Sequence, residues 1–142
     1  MSEYPGGCHC GNVALTFSTD VALADLSIRE CQCTFCRKHG GRTSTDPNGH
    51  VEIRVSDAGR LTRYRFGQSV AEFLVCMHCG NYIAAYMAYD GGAVATLNIN
   101  SLTDNPFGDR RGAGADYSAE DAASRAERRK RMWTPATLIV DA

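Results

Sequence analysis

The 142-residue chain reads as a mainly β domain, and three observations carry that reading. Short segments of alternating apolar and polar residues fill the first hundred positions. Turn signals separate them, at D-P-N-G (46–49), S-D-A-G (56–59) and Y-D-G-G (89–92). Seven cysteines fall in three tight groups. A period of two sends alternate side chains to opposite faces, as in half-buried antiparallel strands. Hydrophobic residues make up 44% and charged residues 22%, a balance suited to one domain with its own core.

Taken in order, Val13, Leu15 and Phe17 alternate with smaller or polar neighbours. V-E-I-R-V (51–55), L-T-R-Y-R-F (61–66), A-E-F-L-V (71–75), Y-I-A-A-Y-M (82–87) and A-V-A-T-L-N-I-N (93–100) complete the strand set. Arg54, Arg63 and Arg65 recur on these strands as exposed-face residues able to pair with Glu52 or Glu72. Beyond Leu102 the chain turns loop-like, and S-A-E-D-A-A-S-R-A-E-R-R-K-R-M-W (118–133) then reads as one helix. Ser118 is its expected cap, with Asp121 at the capping-box spacing. Acids lead and bases follow, which suits the helix dipole, and Asp121–Arg125 and Glu127–Arg131 are spaced for i,i+4 pairs. Pro135 ends the helix, and A-T-L-I-V (136–140) forms an apolar tail expected to pack back on the body. The whole is one domain: a core over about 5–103, a loop and helix over about 104–134, and a tail over 135–142.

Formal net charge is −1 and the pI is near 6.4, so nothing global favours nucleic acid or an anionic membrane. No apolar run reaches the ~18 residues of a membrane span. The start, M-S-E-Y-P-G-G-C-H-C, lacks the basic-then-apolar order of a secretory signal, and a cytoplasmic location is expected. The R-R-K-R run (128–131) closes a helix that opens with acids, so it reads as a solvated basic face. No feature specifies an oligomeric state.

In a reducing compartment, grouped thiols serve as metal ligands more often than as disulfides, and an odd number would leave one unpaired. Cys8 and Cys10 form a Cys-x-Cys pair, and Cys76 and Cys79 form Cys-x-x-Cys-Gly. Such pairs from distant segments suit one tetrahedral structural zinc. Cys31, Cys33 and Cys36 then stand as three ligands without a fourth, the arithmetic of a zinc open to substrate. Other arrangements compete: His39 closing a Cys₃His site, an iron–sulfur cluster, or a sulfur borrowed from another pair. His9 and His78, between ligands, are expected to point away from the metal. His39 is also a candidate proton donor, and Arg37, Lys38 and Arg42 are candidate cations for an anionic substrate, against the plain reading of a solvated loop.

G-G-C-H-C-G-N-V (6–13), C-Q-C-T-F-C-R (31–37), C-M-H-C-G (76–80) and A-T-L-N-I-N (95–100) together resemble the glutathione-dependent formaldehyde-activating enzymes, a family that includes centromere protein V. The likeness spans about 5–103. It implies curled antiparallel β-sheets organised around two zinc ions per chain: a structural one on Cys8, Cys10, Cys76 and Cys79, and a second on Cys31, Cys33 and Cys36. It also implies a carbon–sulfur lyase reaction, in which a thiol such as glutathione condenses with formaldehyde to S-(hydroxymethyl)glutathione. The chain departs from the family pattern at Val75, where an aromatic is usual, at Asn81, and in the polar stretch after Cys36. A non-catalytic, zinc-stapled interaction module is the competing expectation, supported by the basic C-terminal helix.

Overall fold

Side-chain alternation becomes strand register in the computed structural model, which describes residues 1–141. The first half contains β1 (Ser2–Gly7), β2 (Val13–Thr19), β3 (Arg29–Cys31), helix α1 (Thr34–His39), β4 (Thr43–Ser44) and β5 (His50–Val55). The second half contains β6 (Leu61–Tyr64), β7 (Glu72–Cys76), β8 (Tyr82–Tyr89), β9 (Gly92–Asn98), β10 (Ala113–Ala115), helix α2 (Ala122–Met132) and β11 (Thr134–Val140). In β2, Val13, Leu15 and Phe17 lie opposite Val55, Ile53 and Val51 of antiparallel β5. All six side chains are buried, so one shift of register would turn the pair inside out. The β8–β9 hairpin closes at Tyr89 and Gly92, leaving Asp90-Gly91 as a two-residue turn. Gly91 takes φ +97° there, a conformation open to glycine at no steric cost.

The strands run β1-β2-β5-β11-β9-β4-β3-β10, and a second arm, β6-β7-β8, joins at β9. The sheet is open and branched, with β9 as its junction. Two apolar clusters follow from this shape. The larger holds Phe17, Ile53, Leu74, Ile83 and Leu97 between the arms. The smaller gathers Cys36, Phe73, Tyr82, Met87 and Trp133 beneath α1 and α2.

Four expectations need correction. The apolar tail is a strand inside the sheet: β11 lies between β5 and β9. Its pairing with β5 is parallel, as is that of β10 with β3, so the sheet is mixed, not wholly antiparallel. β5 and β11 are far apart in the chain, so no tight turn constrains them to run antiparallel. The helix also starts later than expected. Asp121 is its cap, with its carboxylate accepting from the Ser124 amide at 2.7 Å, and Ser118 lies outside it. Neither expected i,i+4 pair forms among the described residues: Arg125 turns to Glu120 at 3.5 Å instead of Asp121, and Glu127 and Arg131 stay exposed and apart. On the strands, Arg63 holds Glu72 bidentately at 2.7 and 3.0 Å, and Arg54 lies 3.6 Å from Glu52. No helix among the described residues is long and apolar enough to cross a membrane.

Candidate functional site

All seven cysteines are free, and their sulfurs sort into two clusters, each with every Sγ within 4.8 Å of the others. The first unites Cys8 and Cys10, from the β1–β2 turn, with Cys76 at the end of β7 and Cys79 in the following turn. Cys8 and Cys10 stand 3.6 Å apart, and Cys10 and Cys76 stand 3.5 Å apart. Tetrahedral coordination with bonds near 2.3 Å places sulfurs about 3.8 Å apart, so this set fits a thiophilic ion. The Val13 amide donates to Cys8 Sγ at 3.3 Å. Gly80 turns the second knuckle at φ +82°. Asn81 joins the two knuckles, its side-chain oxygen accepting from the His9 amide at 2.7 Å. His9 and His78 are exposed and belong to neither cluster.

The second cluster is Cys31, Cys33 and Cys36. β3 delivers Cys31, Cys33 caps α1, and Cys36 sits in the first turn, where its amide donates to Cys33 Sγ at 3.4 Å. One short strand and one short helix therefore aim three sulfurs at a single point, and three such donors also suit a thiophilic ion. Charge is shared unevenly among them. A hydrogen bond from Cys36 holds the Cys31 thiol down at about 5, with burial opposing and Cys33 and Arg129 assisting. Cys36 is pushed up by that same bond and by burial. The cluster therefore carries thiolate at neutral pH, the form that binds metals. It borrows no sulfur from the other pairs.

Two spaces flank these sulfurs. An outer cleft of about 570 Å³ opens between Cys31 and Cys33, the 66–71 loop, and the Tyr117 and α2 side, where Arg125 and Arg129 face it. Behind it lies an inner cavity of about 50 Å³ lined by Cys31, Cys36, Tyr82, Ala85 and Thr96. Cys31, Phe73, Tyr117 and Arg129 border both, so the two spaces share a wall. Arg129 is half-buried, its guanidinium 4.6 Å over the Trp133 ring. Among the described residues it makes no ion pair, and its Nε has no hydrogen-bond partner. Burial first, then Arg128 and Arg125, lower its pKa to about 10, so it remains a cation at neutral pH. An unpaired cation at this depth is costly unless an anion approaches it.

The cations expected after Cys36 lie elsewhere. Arg42 is only 7% exposed, and its guanidinium is engaged by Asn100 Oδ1 at 2.8 Å and by the Gly108 and Arg110 carbonyls at 2.9 and 2.8 Å. It acts as a strut for the 100–110 loop, because a buried guanidinium takes every acceptor within reach. Arg37 and Lys38 are exposed at the end of α1 and border neither space. His39 packs its ring on Phe35 at 4.4 Å and on Tyr82 at 5.7 Å, over a separate polar depression with Asn98 and Asn100. It does not close the cysteine triad.

Sequence reasoning missed Arg125, Arg129, Tyr82 and Thr96. The helix signal was available: Arg125, Arg129 and Trp133 recur at i, i+4 and i+8, one face of α2, with Trp133 marking the buried side. Tyr82 and Thr96 carried no local signal, because their place beside the sulfurs depends on how β8 and β9 pair.

A family model described as glutathione-dependent formaldehyde-activating enzyme matches residues 3–116. A crystal structure of a Rhodobacter sphaeroides protein, a structural-genomics target, is similar at a TM-score of 0.61 and 27% identity, covering 78% of this chain and 99% of that one. The matched span contains both cysteine clusters and Tyr82 and Thr96 of the inner cavity, and it leaves outside α2 and the Tyr117, Arg128, Arg129 and Trp133 side of that cavity. The chain belongs to the glutathione-dependent formaldehyde-activating enzyme family.

Proposed function

We propose that the protein is a zinc-dependent carbon–sulfur lyase-type enzyme that joins glutathione to formaldehyde as S-(hydroxymethyl)glutathione. The observation that carries this reading is the mouth of the second cluster: Cys31 and Cys33, two of its three ligands, open onto a cleft walled by two arginines. Zinc on Cys31, Cys33 and Cys36 would supply a position at which an incoming thiol is held as thiolate at neutral pH. The chain's own residues do the rest. The cleft orients the thiol beside the aldehyde carbon, a positioning effect. Arg125 and Arg129 meet the substrate's carboxylates, which glutathione carries and a bare thiol does not. The Cys8, Cys10, Cys76 and Cys79 cluster would hold the other zinc and tie the two arms of the sheet. Free thiols throughout are consistent with a reducing cytoplasm.

The interaction-module reading loses its main support. Three of the basic residues of α2 are engaged by the body, leaving Lys130 and Arg131 exposed: Arg128 is held by Glu120 at 2.8 and 2.9 Å and lies over the Tyr117 ring, while Arg125 and Arg129 face the cleft.

The test is the visible spectrum of cobalt-substituted protein during titration with glutathione, alongside Cys33→Ala. The bands of one site should change while those of the other stay constant, and Cys33→Ala should lose that response together with adduct formation. If neither site responds to glutathione or to another small thiol, the open-site reading fails.

A further inference from the structure

We infer that the inner cavity behind the cysteine triad is the seat for the oxygen of a one- or two-carbon aldehyde, with the Tyr82 and Thr96 hydroxyls as its hydrogen-bond partners. The inference deepens the reading above and rests on it.

Tyr82 and Thr96 border the cavity together with Cys31 and Cys36, and they are only 3% and 8% exposed. Among the described residues neither hydroxyl has a hydrogen-bond partner. A buried hydroxyl left unpaired costs about 1–3 kcal/mol, and two in one small space signal a polar occupant. A volume of about 50 Å³ exceeds the ~10–15 Å³ one water requires, yet it excludes an aromatic or long-chain aldehyde. Phe73, Ala85 and Trp133 add apolar wall, and Arg29, Arg128 and Arg129 also border the space, placing positive charge near an oxygen that becomes anionic. The geometry separates the two reactants. The thiol enters through the outer cleft, which Cys31 and Cys33 line, and the aldehyde oxygen points inward, past Cys31 on the wall the two spaces share.

The step balances without an oxidant. A lone pair on the thiolate sulfur forms the new C–S bond, and the carbonyl π pair moves to oxygen. That oxygen regains the proton the thiol released. Hydroxyls already aimed at this position stabilise the charge as it grows, without reorganisation during the reaction. Cleavage of the adduct is the same step reversed.

The test uses the full metal-loaded chain with ¹³C-formaldehyde and glutathione, comparing wild type, Tyr82→Phe and Thr96→Val. Exchange NMR measures the rate between hydrated formaldehyde and adduct, and calorimetry measures glutathione affinity. Each substitution removes one hydroxyl at nearly constant volume, and far-UV circular dichroism checks folding. If one variant does not fold, the other carries the comparison. Tyr82→Phe should slow exchange roughly 100-fold, the lower end of the range for losing an oxyanion donor, and Thr96→Val about 10-fold, the worth of one neutral hydrogen bond, while glutathione affinity changes less than twofold. Wild-type exchange rates in the folded variants would overturn the pocket and leave an internal water as its occupant. A parallel loss of glutathione affinity would also overturn it, by making the hydroxyls structural. Wild-type protein that binds glutathione but accelerates no small aldehyde would overturn the pocket while the thiol site stands. Absence of both binding and exchange would overturn the underlying reading and the pocket with it.

Discussion

At the scale of single residues, Arg129 is a half-buried cation left uncompensated. Its guanidinium is held over Trp133 and against both spaces with no carboxylate partner among the described residues, while Glu120 is taken by its neighbours Arg125 and Arg128. An arginine kept for stability would be placed as Arg42 is, with its donors spent on fixed acceptors. Arg129→Gln should therefore weaken glutathione binding by about 10-fold or more, the worth of one charged hydrogen bond. Its melting temperature should stay level or rise, because an uncompensated buried cation is removed. Calorimetry and thermal unfolding check the pair of outcomes, and a lower melting temperature with unchanged affinity would make Arg129 structural. Gly80 is the opposite case. An added Cβ would meet no atom within 4 Å, so the cost of Gly80→Ala is the left-handed backbone alone. That cost is about 1–2 kcal/mol, and a denaturant titration should show it.

At the scale of elements, α2 and β11 turn the last quarter of the chain into part of the fold. β11 shields Val51, Ile53 and Val55 by pairing with β5, and it bridges to β9. A chain truncated at residue 133 should be insoluble or molten, which gel filtration and circular dichroism would reveal. A soluble, folded truncate would mean that β11 adds little. The helix docks more lightly, through Trp133 and the Glu120 network. The hydrogen bond from Arg128, with Arg125 adding to it, lowers the Glu120 pKa below its ordinary 4.5. The folded value therefore lies below the unfolded one, so this contribution is complete above about pH 4.5 and fades as the pH falls through the lower folded value. Trp133, the single tryptophan, should report loosening of α2 in that acid range by a red-shifted emission, and Glu120→Gln should lose the pH dependence. The long strands were legible because each has one packed face. β1 is not, since S-E-Y-P-G-G shows no alternation, and β3, β4 and β10 are two or three residues long, too short for a period. β11 reads as a generic apolar tail because both its edges are paired and its faces are only half-buried.

At the scale of the whole molecule, the sulfurs fall into two clusters that could each hold a metal ion, and they were legible because ligation demands one residue type at fixed spacings, whatever the surrounding fold. The cleft was less legible, since its cations arrive from a helix ninety residues beyond the triad. The four-cysteine cluster spans the two arms: Cys8 and Cys10 lie beside β2, while Cys76 and Cys79 end β7. Without it, the β6-β7-β8 arm is joined to the rest chiefly through β9. The triad lies within 31–36, a span already folded by α1, and closes no long loop. Stepwise chelation of zinc-loaded protein should therefore proceed in two phases. The first equivalent leaves from Cys31, Cys33 and Cys36, with little change in melting temperature and loss of glutathione binding. The second leaves with the fold, lowering the melting temperature by roughly 10–20 °C, as a loss of a few kcal/mol does in a domain of this size. Cys33→Ser should abolish the first phase alone, and Cys79→Ser should merge metal loss with unfolding. A zinc-release dye, read beside far-UV circular dichroism in one titration, follows both. Release of both equivalents from a protein whose melting temperature does not move would show that the sheet needs no staple, and the structural assignment of Cys8, Cys10, Cys76 and Cys79 would fall.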